Sequence, residues 1–200
     1  MAETELSLRE KILETTRRLL FSDGFQAISM RKIAHKIGVS ATSIYLHFEN
    51  KDHLAHTLIE ESVEELSTAI ERSAASKVGP IDKFHAIVNS YVNFAMSNPE
   101  KYQMIYMLRP EAMARYPKEK FRKTRRGYAL LESVILDAIN EGMMEVSDTK
   151  VAAYSIWAQL HGIISVVQQQ RLDSRIDRDL FIEESIEYIV QGFLVRTTIN

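Results

Sequence analysis

Cysteine is absent from the 200 residues, which excludes a disulfide framework and any thiolate metal site and fits a reducing, cytoplasmic setting. Proline and glycine number only 4 and 7, too few turn-formers for a chain of short strands. Long apolar runs are missing as well. The densest, Ile163 to Val167, is far shorter than the roughly 20 residues a bilayer crossing needs, so no membrane partner is expected. Met1 to Ser7 carry Glu3, Thr4 and Glu5 without an apolar stretch, so a signal peptide is not expected. A large excess of one charge is also lacking: the formal net charge is -2, which argues against indiscriminate binding to nucleic acid.

What is present points to helices. Hydrophobic residues make up 46% of the chain and charged ones 26%, which suits one large or two small globular domains. Apolar positions recur at helical spacing almost throughout, so the expected fold is all-α with about nine helices. The first helix is expected from Ser7 to Ser22, with Leu8, Ile12, Thr15 and Leu19 inward and Asp23-Gly24 as its stop. Ser29 should cap a short helix through Ile37, Ser40 another through His47, and Asn50 a long one through Ser73. Residues 74–80 read as a linker, with Pro80 opening the next helix. Further helices are expected from Pro80 to Asn98, Pro99 to Leu108, Glu119 to Glu141, Asp148 to Arg171 and Asp179 to Arg196, with a loop around Pro110 and Pro117.

Charge is distributed unevenly. Between Gly24 and Lys51, the cations Arg31, Lys32, Lys36 and Lys51 oppose Glu49 alone, four against one for a net of +3 in an acidic chain. The two short helices joined by Gly38-Val39 have the dimensions of a helix-turn-helix, whose second helix lies in the DNA major groove. Ile33, Ala34, Ile37, Val39, Ile44 and Phe48 supply an apolar seam between them. The remaining face offers Ala41, Thr42, Ser43, Tyr45 and His47, small or planar groups able to approach base edges and phosphates. The helix starts at Ser29 and Asn50 carry unsatisfied amides that suit a phosphate, with Lys51 beside the second.

The run Gly24-Phe25, Ser29-Met30-Arg31-Lys32-Ile33-Ala34, Gly38-Val39-Ser40, Ile44-Tyr45, His47-Phe48, Asn50-Lys51 and Leu54 closely resembles the N-terminal signature of the tetracycline-repressor (TetR) family, over about Leu8 to Glu60. The resemblance implies a DNA-binding regulator, most simply a repressor acting as a homodimer on double-stranded DNA with a palindromic operator. It implies that Ser29 and Arg31 meet the DNA backbone or groove, that Thr42 and Ser43 face bases, that Tyr45 and His47 hold phosphates and that Lys51 anchors the following helix. Ser40 reads either as a contact or as an internally satisfied cap, and Glu49 is an unfavourable neighbour for the phosphate track. The expected division is a reader over 1–54 and a dimerisation and effector domain over 55–200.

In the C-terminal half, Trp157-Ala158-Gln159-Leu160-His161-Gly162 resembles a Trp, His and Gly motif of one TetR subgroup, and Tyr102 to Met107 is consistent with it. The family resemblance implies dimerisation through the last two helices. Ile163, Val166 and Val167 with Ile186, Ile189, Val190 and Phe193 offer apolar stripes for that contact, and the same stripes also suit an intramolecular core. Tyr91, Phe94, Met104, Met107, Met113, Tyr128, Trp157 and His161 are candidate walls of a pocket for a small apolar or aromatic effector, although such a stripe also reads as plain core. His161 could equally be a core histidine bonded to a neighbour. His53, His56 and Glu60 share a helical face that could ligate a divalent metal, but their place beside the reader favours ordinary exposed polar residues, so no metal site is expected. The chain has no glycine-rich phosphate loop, nucleophile elbow or catalytic array, so neither an enzyme nor a cofactor is expected. A helical interaction module without DNA contact is the remaining alternative.

Overall fold

The computed structural model describes residues 6–106 and 126–195, and among them it is all-helical apart from one isolated bridge between Met144 and Leu194. The helices are α1 (Leu8–Asp23), α2 (Met30–Ile37), α3 (Ala41–Tyr45), α4 (Lys51–Ala75), α5 (Pro80–Ser97), α6 (Pro99–Tyr106), α7 (Arg126–Asn140), α8 (Thr149–Gln168) and α9 (Arg178–Phe193), with a 3₁₀ turn at Phe25–Ala27. Met107, Met113, the loop at Pro110 and Pro117, and the expected helix start at Glu119 lie outside the described residues.

Local chemistry explains most boundaries. Ser7 and Glu10 form a reciprocal capping box at the start of α1, and Gly24, at φ 77°, follows its end. Thr16, rather than the expected Thr15, is buried on α1, and its hydroxyl is satisfied by donating to the Ile12 carbonyl at 2.7 Å. Gly38 closes α2 at φ 74° and ψ 32°, a left-handed conformation that a side chain resists. The third helix is only five residues long, ending at Tyr45 rather than His47, although the chain stays turned so that the Phe48 amide still reaches the Ile44 carbonyl. At the other end of the molecule, α9 stops at Phe193 instead of Arg196. There the chain straightens, and the Val195 amide donates to the Met143 carbonyl at 2.9 Å.

Two apolar cores result. Ile12, Leu19, Ile28, Ile33, Ile44 and Phe48 meet Leu54 and Leu58 in the first; Leu66, Ile70, Phe84, Ile87, Ile135, Ile156 and Ile164 meet α9 in the second. Helix α4 runs through both, so the expected boundary after Leu54 falls inside a continuous helix, whose 25 residues extend for about 37 Å. Met104 on α6 joins the N-terminal core while Tyr102, two residues earlier, joins the C-terminal one. A helix turn of α6 thus touches both halves.

The second core takes up part of the apolar stripes of α8 and α9. Ile186, Ile189 and Val190 are 5%, 5% and 0% exposed, and Ile163 is buried too, all within a single protomer. These four therefore fasten their helices to this chain's own core. Val166, Val167 and Phe193 are half-buried. The apolar groups turned outward are Val151 and Tyr154 on α8 and Leu180 and Tyr188 on α9.

Candidate nucleic-acid interface and ligand cavity

The outer surface of the N-terminal core is built by three capped helix starts. Ser29 accepts the Lys32 amide at 3.2 Å, Ser40 accepts the Ser43 amide at 3.1 Å, and Asn50 accepts the His53 amide at 2.8 Å. The Ser40 hydroxyl is also 2.8 Å from that of Ser43, so both are engaged within the helix they open. With Ile44 and Phe48 locked inward, the intervening residues must point away from the core. Ser29, Arg31, Ser40, Thr42, Tyr45 and His47 are exposed, whereas Ala41, Ser43 and Lys51 are half-buried.

One exposed residue escaped the sequence reading. Leu46, between Tyr45 and His47, is 80% exposed, an unusual position for leucine beside a polar face. The signal for it was available: residues 44 and 48 share the inner side of one turn, which leaves 46 outside. A leucine there can meet a thymine methyl or a deoxyribose by apolar contact.

Electrostatics divide the cations into committed and available ones. Lys32 pairs with Asp23 at 2.6 Å, and the ammonium beside it holds the Asp23 carboxyl below the usual range. Lys51 lies over the Phe25 ring, its Nζ 4.6 Å from the centroid, so its stem is held while it stands at the start of α4. Arg31 enters no ion pair among the described residues. At the α4 start, His53 Nδ1 accepts the Glu49 amide at 3.3 Å and Asn50 takes the His53 amide, so fewer amides are open to a phosphate there than at an uncapped helix. His53 and His56 do not gather with Glu60 into a metal group: no cluster of three potential ligands occurs among the described residues.

The C-terminal half contains a cavity enclosed by α4 to α8. Its volume is about 70 Å³, open on one side, and its walls are Val63, Leu66, Ser67 and Ile70 of α4, Ile87 and Tyr91 of α5, Ile105 and Tyr106 of α6, Gly127, Tyr128 and Leu131 of α7, and Trp157 and Leu160 of α8. Of the expected lining, Tyr91, Tyr128 and Trp157 are there. Phe94 and Met104 are instead core residues, and His161 stands behind the wall. Tyr106 was missed, because periodicity on a short helix does not reveal which neighbours leave space.

Aromatic packing holds this wall in place. Trp157 Nε1 donates to the Tyr91 hydroxyl at 2.9 Å, Tyr106 packs 5.8 Å from the Trp157 ring, and Tyr128 stacks on Tyr154 at 4.8 Å. His161 stacks on Trp157 at 5.2 Å, and its Nδ1 is hydrogen-bonded with the Tyr102 hydroxyl. Burial lowers the His161 pKa, and burial raises the phenols of Tyr91, Tyr106 and Tyr128, so each of these groups is held neutral. At the edge, Arg126 grips both oxygens of Glu71, at 2.8 and 2.6 Å, and also Glu64 at 2.8 Å, tying α7 to the connecting helix. Among the described residues, no helix is long and apolar enough to cross a membrane.

Comparison with known proteins matches both halves. Residues 12–58 match the family described as bacterial regulatory proteins, tetR family, and residues 84–193 match the tetracyclin repressor-like C-terminal domain. A nucleoid occlusion factor, SlmA, from Idiomarina loihiensis is 32% identical over 99 residues, half of this chain and half of that protein. The HTH-type transcriptional regulator Rv1816 of Mycobacterium tuberculosis is 26% identical over 101 residues, 50% of this chain and 43% of its own. The aligned segment thus spans about half the length of these curated relatives. A crystal structure of a tetR-family regulatory protein from Rhodococcus RHA1 superposes with a TM-score of 0.79, covering 96% of this chain and all of that one at 15% identity, which is a likeness of fold. The Trp, His and Gly subgroup is not distinguished by these matches. With a family match extending over more than half of its length as well as over its helix-turn-helix, this chain belongs to the TetR family of bacterial regulatory proteins.

Proposed function

We propose that the protein is a DNA-binding transcriptional regulator that works as a dimer, with one α3 from each protomer in the major groove of a palindromic operator, and that it represses until a small apolar or aromatic effector enters the cavity. The observation that carries the reading is the outward face of Thr42, Tyr45, Leu46 and His47 on α3 and the turn that follows it, whose other side is locked by Ile44 and Phe48. Thr42 and Leu46 approach bases; Tyr45, His47 and Arg31 hold phosphates; Lys51 contributes charge from the α4 start. Ser40 and Ser43, already bonded to each other, serve mainly to fix the helix. The family assignment supports a DNA partner.

For the dimer, we propose that the partner packs on the outward stripes of α8 and α9, with Val151, Tyr154, Leu180 and Tyr188 rather than the buried isoleucines. Two readers joined this way would enter successive major grooves roughly 34–36 Å apart. The cavity supports the effector role because its walls include α4, the helix that carries the reader. A ligand preferring a form with respaced readers by a hundredfold shifts the balance by about 2.7 kcal/mol.

Anisotropy titration with duplex DNA from upstream of the protein's own gene tests the reading. Tyr45→Ala and Lys51→Ala should weaken binding to every duplex, and Lys51→Ala should reduce the salt slope by about one. Thr42→Ala should instead change the ranking among duplexes. Unchanged affinity in all three variants would contradict the reading.

A further inference from the structure

We propose that the cavity selects a neutral, planar aromatic molecule carrying a hydrogen-bonding oxygen, and not a carboxylate. This rests on the effector reading of the same cavity. No Asp, Glu, Lys or Arg side chain lines the space among the described residues. An anion entering it would shed water without gaining a counter-charge. The lining combines flat aromatic surfaces, Trp157 and Tyr106, with the branched apolar side chains of Leu66, Ile70 and Leu131, and it rewards a flat ring over a flexible chain, since the chain loses rotational freedom on entry.

Polarity is confined to hydroxyls. Tyr91 is occupied by Trp157, but Ser67 on α4 and Tyr128 on α7 line the cavity and have no hydrogen-bond partner among the described residues. Ser67 is itself buried, so its hydroxyl lacks full solvation as well as a partner. Burial keeps the Tyr128 phenol protonated and able to donate. Two neutral donors from the adjoining helices α4 and α7 match a carbonyl or hydroxyl oxygen on an aromatic frame. The Lys- and Arg-rich stretch between residues 107 and 125 lies outside the described residues, so a neutral and an anionic probe of similar shape on the same ring are the decisive comparison.

Trp157 is the only tryptophan in the chain, and it stands in the cavity wall. Its emission therefore reports occupancy directly. The full-length protein is titrated with 2-acetylnaphthalene, 2-naphthoate and 1-decanol, reading Trp157 emission and, in parallel, calorimetric heat. The expected result is saturable binding of the ketone at least tenfold tighter than of either other probe. The double variant Ser67→Val/Tyr128→Phe, with unchanged Trp157 emission when unliganded, should lose about tenfold for the ketone, the effect of one or two neutral hydrogen bonds. Equal or tighter binding of naphthoate, equal binding of decanol, an unaffected double variant or no binding at all would overturn the proposal. DNA release is scored separately. Ketone binding without loss of DNA affinity would leave the ligand class standing and remove the effector reading; naphthoate binding that releases DNA would do the reverse.

Discussion

The two halves of this protein handle buried space in opposite ways. The N-terminal core is closed around Ile12, Ile33, Ile44 and Phe48, and its chemically useful side chains all lie outside. The C-terminal half leaves a cavity open, and its useful groups, Tyr91, Tyr128, Trp157 and Ser67, face inward. A closed core makes a rigid platform, which suits reading a fixed surface such as a duplex. An open one can be completed by a guest. Helix α4 belongs to both, supplying Leu54 and Leu58 to the platform and Ser67 and Ile70 to the cavity.

That contrast breaks most severely if the closed core is opened. Phe48→Ala should destabilise the reader by about 3–5 kcal/mol, since the ring is fully enclosed and its loss leaves a cavity in the core. Circular dichroism would record the lost helix, and Trp157 emission would stay native if the C-terminal half holds its own fold. Coincident loss of both signals would show that the two halves unfold as one unit. A smaller effect is expected from Gly38→Ala, about 1–2 kcal/mol in chemical denaturation, because a Cβ meets no neighbour there but the left-handed backbone conformation is strained.

Smaller again is the tie between α7 and α4. Arg126→Gln removes a largely exposed network with Glu71 and Glu64, so the loss should be about 1 kcal/mol or less and should fade in high salt. A salt-independent loss would mean that the residue acts by packing at the cavity mouth. The least effect comes from pH. Because the folded protein holds the His161 pKa below its ordinary value, the unfolded chain takes up the proton first. Stability should be full above about pH 6.5 and decline as pH falls below it, and His161→Gln should flatten that decline in thermal melts.

Features with a single local cause were legible from sequence. Ser29, Ser40 and Asn50 each cap the helix they were expected to open, and Gly38 ends α2, because a cap or a left-handed turn depends on a few adjacent atoms. The polar face of α3 followed from the same register. What the sequence could not decide was which partner an apolar stripe meets. Ile186, Ile189 and Val190 repeat at the spacing of one helical face, and that spacing is identical whether the face covers its own core or another protomer. Met104 shows the same ambiguity in miniature: it was read as a pocket wall, yet α6 turns it into the reader's core and points Tyr106 at the cavity. Empty space is a property of several helices together, and no single periodicity records it.

The central claim is that a symmetric pair of α3 helices reads duplex DNA, and selection of bound fragments from genomic DNA, followed by measurement of the mass of the complex on the selected site, tests it most directly. The account predicts an inverted repeat with half-sites about 10 base pairs apart, centre to centre, or a multiple of that spacing, with an even number of protomers per site and loss of the repeat's enrichment for Thr42→Ala/Leu46→Ala. A single protomer bound to fragments sharing no symmetric element would contradict it.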